Sequence, residues 1–116
     1  SAEMCIKLLG VARGSVRELR EDYADFLRQH KYEIWGGEDT RTLAVRNYSR
    51  AHYEPREYVD KCEARSDETV ANIMLTLIFQ MEAMLAKVLK AVEADFIANG
   101  GIKENMSRVR RSHRGY

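Results

Sequence analysis

The chain has 116 residues, 45% hydrophobic and 32% charged, which is the length and apolar content of one domain with a packed core. Nineteen basic and eighteen acidic residues leave a net charge of +1, so the chain as a whole is not a polyanion binder. One Pro and seven Gly exclude a loop-rich all-β protein and collagen-like or linker composition, and Cys5 and Cys62 lie too far apart to form a CxxC motif.

The first predicted helix runs from about Ala2 to His30. Cys5, Leu9, Ala12, Val16, Leu19, Tyr23, Phe26 and His30 repeat with 4-3 spacing, the seam of a bundle or coiled coil. Ile6, Leu8 and Leu27 widen that stripe. Arg13, Arg17, Arg20, Glu21, Asp25 and Arg28 form a solvated face on which Arg17 and Glu21 can pair. Gly10 and Gly14 share one face and allow either a close backbone approach or a local bend. The heptad pattern is already running at residue five with no convincing cap before it, so a natural start upstream is expected.

Gly36-Gly37 breaks the pattern, with Ile34 and Trp35 as an apolar plug under the connection. Asp39 or Thr40 can cap a shorter helix reaching about His52, with Leu43, Ala44, Tyr48 and Ala51 as its narrow apolar side. Pro55 interrupts it and can restart a helix over Glu54 to Glu63.

The last long helix is predicted from Asp67 to about Asn99, with Ser66 as N-cap and Asn99-Gly100-Gly101 as C-cap. Val70, Met74, Leu77, Met81, Met84 or Leu85, Val88 and Val92 repeat with 4-3 spacing. Ile73, Leu75, Ile78 and Phe79 add apolar residues on other faces, so the first half should be buried nearly all round. Thr69 to Ala86 carries Glu82 as its only charge and approaches the roughly 20 residues of a membrane span. Asn72, Gln80 and Glu82, with no aromatic belt or basic flank, favour a buried soluble helix and no membrane partner.

The expected fold is therefore all-α: a long antiparallel helical hairpin with short connecting helices. Helices of roughly 29 and 33 residues are each about 45–50 Å long, and two of them side by side leave half of every stripe in water. The hairpin should complete a four-helix bundle, by self-association into a dimer or with helices upstream of this chain. The candidate oligomer interface is Leu9, Val16, Leu19, Tyr23, Met74, Leu77, Met81 and Val88.

Several stretches resemble the C-terminal suffix domain of bacterial four-helix-bundle proteins. They are Gly10-Val11-Ala12-Arg13-Gly14-Ser15 with Glu18-Leu19 and Asp22-Tyr23; Asp25-Phe26-Leu27-Arg28-Gln29; Ile34-Trp35; Glu68-Thr69-Val70-Ala71-Asn72; and Phe96-Ile97 to Asn99-Gly100-Gly101-Ile102, followed by Glu104, Met106, Arg108 and Arg110. The parent family is similar to the four-helix-bundle proteins of ribosomal RNA intervening sequences. Its relatives include the accessory variability protein that works with the reverse transcriptase of diversity-generating retroelements. The resemblance implies an all-α bacterial cytoplasmic protein and transfers no binding site. Glu82, Ala83 and Lys87 depart from the residues expected of the group.

No residue cluster reads as catalytic. His30, His52 and His113 have no partner at ligand spacing, and neither glycine pair forms a phosphate loop. No metal, no cofactor and no enzymatic activity is expected. Cys5 reads as a small buried hydrophobe and Cys62 as semi-exposed. The two well-separated thiols and the lack of a signal-peptide pattern point to a reducing, cytoplasmic setting.

Charge is distributed unevenly. Lys103, Arg108, Arg110, Arg111 and Arg114 against Glu104 give residues 103–116 a charge of +4, which sets a basic tail, 102–116, apart from a helical domain, 1–101. Those tail arginines, with Arg46 and Arg50, are the candidate contacts for nucleic acid, RNA or DNA. Arg41, Arg46, Arg50 and Arg56 alternate with Tyr48, Tyr53 and Tyr58, which can stack on bases or pack a short helix onto the long ones.

Overall fold

A computed structural model describes residues 1–100. The expectations for the basic tail, its boundary near residue 102 and a cap at Gly101 lie outside the described residues. Among those residues all regular structure is helical: α1 (Ala2–Gln29), α2 (Thr40–Ser49), α3 (Pro55–Glu63) and α4 (Asp67–Asp95), closed by a π-helical turn at Phe96–Gly100.

The ends of these helices follow from single side chains. α1 stops at Lys31, which adopts φ 57°, earlier than the Gly36-Gly37 pair. The Tyr32 N–H donates to the Leu27 carbonyl and the Lys31 N–H to that of Arg28. This double closure satisfies the last carbonyls of the helix, at the cost of a left-handed non-glycine residue. His30 Nδ1 lies 2.9 Å from the Phe26 carbonyl, and its ring stacks on Tyr32.

At α2, Asp39 is the cap and accepts the Arg41 N–H at 2.8 Å. The Arg41 guanidinium also bonds Asp39 and Glu33 and lies 4.6 Å over the Trp35 ring. The Arg41 side-chain hydrogen bonds hold the Asp39 carboxyl down to about 2 from its ordinary 3.8. A depressed carboxylate stabilises the folded chain above its unfolded pKa, so this cap is fully formed above pH 3.8 and is lost as pH falls toward about 2. The helix ends at Ser49, short of His52.

α3 begins with Pro55 at its first position, and the Glu57 carboxylate accepts the Glu54 N–H. At α4, the Ser66 hydroxyl accepts the Thr69 N–H, three residues on. The π-helical turn stands where the glycine C-cap was expected.

The chain divides into two compact units. The unit Ser15–Glu82 holds every fully buried apolar residue described: Leu27, Ala71, Ile73, Leu75 and Ile78. Leu27, Ala71 and Leu75 form its centre, with Tyr23 and Phe26 packed around them. Nearer the start of α1, Arg20 pairs with Glu82 at 3.4 Å and lies over the Phe79 ring. Contacts therefore climb α1 as they descend α4. The other face of α4 carries a polar row. Asn72 and Thr76 are buried, and Gln80 accepts the Ser49 hydroxyl of α2 at 3.1 Å. The first half of α4 is thus enclosed on most sides, as its composition predicts, with Phe79 as the exposed exception.

The unit formed by Ser1–Gly14 and the segment from Ala83 onward has no fully buried residue among those described. Ile6, Leu9, Ala12 and Arg13 of α1 are half-buried, as are Leu85, Ala86, Leu89 and Val92 of α4.

On α4 the most enclosed row lies one residue on from the expected seam, and on α1 it keeps Leu9, Val16 and Tyr23 and moves by one residue at the positions between them. On α1 the row is Ile6, Leu9, Arg13, Val16, Arg20, Tyr23 and Leu27, again with 3-4 spacing. On α4 it is Ala71, Leu75, Ile78, Glu82, Leu85, Leu89 and Val92. The shift corrects several expectations. Cys5 is exposed rather than a core hydrophobe, and Leu19 and His30 are exposed. Arg20 is not on a solvated face but joins Glu82 inside the seam. No Arg17–Glu21 ion pair is found among the described residues; on this face Arg28 pairs with Asp25 at 2.7 Å and Arg20 with Glu82.

Gly10 and Gly14 meet no close backbone: a Cβ at either would have nothing within 4 Å. Alanine at both positions is expected to raise stability by about 1 kcal/mol, from reduced freedom of the unfolded chain. Urea denaturation checks this at a protein concentration low enough to keep the chain monomeric. A loss of stability would contradict the open space at both positions.

Candidate interaction surface

An apolar row on a helix can pack in one direction only, so a second row beside it needs a second partner. α4 carries two such rows. The row through Leu75 and Ile78 is buried. The adjacent row, Val70, Met74, Leu77, Met81, Met84 and Val88, keeps the 4-3 spacing one residue earlier. Its first three members are half-buried. Met81, at the end of the Ser15–Glu82 unit, is 47% exposed; Met84 and Val88, in the other unit, are 57% and 42% exposed.

The same asymmetry appears on α1. Leu9, Val16 and Tyr23 are half-buried, whereas Leu19 is 45% exposed. Met4, Leu8 and Val11 form a further exposed row with i, i+4, i+7 spacing, which the sequence analysis did not assign to an interface. The signal was present, because that spacing is itself helical, but the seam beside it fitted the same period. Of the eight predicted interface residues, Leu19, Met81 and Val88 are thus open to solvent, Met74 and Leu77 are partly so, and Leu9, Val16 and Tyr23 line the more enclosed side of α1.

α4 is long and apolar enough to cross a bilayer, but a third of its most apolar window is buried. Its one mid-run charge, Glu82, is matched by Arg20 across the seam. One Glu82 carboxylate oxygen is buried without a hydrogen bond, so the pair is held by charge and distance alone.

In the arginine–tyrosine stretch Tyr48 and Tyr58 pack within the chain, whereas Tyr53 is exposed. Tyr48 stacks on His52 with centroids 3.6 Å apart and meets Tyr58 edge-on. The Tyr48 hydroxyl donates to the Glu57 carbonyl and that of Tyr58 to the His52 carbonyl, which joins the end of α2 to α3. Burial pushes the Tyr58 phenol up from its ordinary value. Arg46 is half-buried in a cavity wall, and Arg50 is an exposed C-cap residue. Arg108, Arg110, Arg111 and Arg114 lie outside the described residues.

No protein-family model matches this chain, and no curated protein or solved structure is significantly similar to it.

Proposed function

We propose that this chain is a non-enzymatic helical module that works by assembly. Its α1 and α4 make an antiparallel hairpin, and a second copy covers the open rows to complete a four-helix bundle. The opposite order of contacts along α1 and α4 within the Ser15–Glu82 unit supports the hairpin. Helices of 28 and 29 residues, each about 43 Å long, support a bundle rather than a small globule. The observation that carries the reading is the exposed continuation of a heptad row through Met81, Met84 and Val88, directly beside a row that is already packed. The kinship inferred from the Glu68–Asn72 and Asn99–Gly101 stretches agrees with such a role.

Sedimentation equilibrium tests it. The wild-type chain is expected to sediment as a dimer in the micromolar range, and Met81→Glu with Val88→Glu to sediment as a monomer with unchanged helix content. A stable wild-type monomer, or a double variant with the wild-type mass, would contradict the proposal.

A further inference from the structure

A cavity of about 340 Å³ lies among Ile34 and Trp35 of the α1–α2 connection, Thr42 and Arg46 of α2, and Asn72, Leu75, Thr76 and Phe79 of α4. All of it belongs to the Ser15–Glu82 unit. Its volume falls at the small end of ligand pockets.

Most polar groups in its wall are already used. The Asn72 amide donates to the Glu33 and Glu68 carbonyls and accepts the Trp35 N–H. The Thr76 hydroxyl donates to the Asn72 carbonyl. Two groups remain. Thr42 is 4% exposed, and its buried hydroxyl has no hydrogen-bond partner. Arg46 is half-buried, is the only charged residue in the wall, and has no ion-pair partner among the described residues. An unmatched buried hydroxyl is rare in a folded protein, and a cation in a partly dry wall favours an anion opposite it. The remaining wall, Ile34, Trp35, Leu75 and Phe79, is apolar and offers two aromatic rings to a flat body.

We infer that this cavity binds a small aromatic carboxylate, its carboxylate taken by the Arg46 guanidinium and its ring held against Trp35 and Phe79. The site is separate from the assembly rows and does not depend on them.

Trp35 is the only tryptophan in the chain, so its fluorescence reports on this wall alone. Benzoate is the probe, with acetate supplying the head without the ring and benzyl alcohol the ring without the charge. Benzoate is expected to change the Trp35 emission saturably, with a Kd on the order of 1 mM for a ligand this small. Acetate and benzyl alcohol should bind roughly tenfold more weakly or not at all. Arg46→Gln is expected to weaken benzoate about tenfold, whereas Thr42→Val, which removes an inaccessible hydroxyl at nearly constant shape, should leave the affinity unchanged. No saturable response to benzoate overturns the inference. So does an equal response to benzyl alcohol, or unchanged affinity in Arg46→Gln.

Discussion

Asn72→Ala is expected to lower the unfolding free energy by about 3 kcal/mol, a large share of the roughly 5–15 kcal/mol available to a domain of this kind. The side chain is 2% exposed and joins three backbone groups at 2.9 Å: the Trp35 N–H, the Glu33 carbonyl and the Glu68 carbonyl. The first two belong to the extended connection after α1, which has no secondary structure of its own to satisfy them. Truncation leaves both without these partners, and an unmade buried hydrogen bond costs more than a made one contributes. Asn72→Asp separates hydrogen bonding from size. A carboxylate cannot donate to two carbonyls, so this variant is expected to hold its carboxyl protonated in the folded state, with a pKa above the unfolded value of about 3.9. Its deficit is then complete above that raised pKa and shrinks as pH falls toward about 4. Urea denaturation at neutral and mildly acid pH measures both effects. A deficit under about 1 kcal/mol for Asn72→Ala, or one for Asn72→Asp that does not change with pH, would remove the buried amide from its central place.

Leu27→Ala is expected to cost about 3–4 kcal/mol, and the same amount at every protein concentration. Leu27 is fully buried against Ala71 and Leu75, in a core of only five fully buried apolar residues among those described. Few neighbours can collapse into the space it leaves, because Ala71 is already small. Leu19→Ala gives the contrast. At 45% exposed, it should cost under about 1 kcal/mol in the dilute monomer and become more costly as the concentration rises and the dimer forms. Chemical denaturation over a hundredfold or so range of concentration separates the two. A concentration-independent loss at Leu19 would place that side chain in the core of the single chain and take it out of the interface.

Much of the local structure was legible in the residues. Asp39, Pro55 and Ser66 each mark a helix start by a mechanism confined to a few neighbouring residues, and each helix begins where that mechanism places it. The end of α1 near His30 was legible from the periodicity, but the device that closes it was not, because lysine seldom takes the left-handed conformation that Lys31 adopts. In the sequence Asn72 stands out as a polar misfit in an apolar run and as part of the Glu68–Asn72 stretch, neither of which gives its structural role. Its role depends on Glu33 and Trp35, 37 to 39 residues away in the chain. The cavity behind Trp35 has the same origin: its lining residues come from the α1–α2 connection, α2 and α4, which are far apart in the chain.

By itself, the sequence determined that the chain is helical and where the helices begin, since periodicity and caps act over one or two turns. It also required more apolar surface than two long helices can hide between them. Which row of each helix faces inward was decided only by tertiary structure. Two adjacent rows on α4 share the same 4-3 spacing, and a one-residue change is a rotation of about 100°, which periodicity alone cannot resolve. The choice follows from long-range fits: small Ala71 against Leu27, and the charge of Glu82 against Arg20. With those contacts made, the row through Met81, Met84 and Val88 is left facing water.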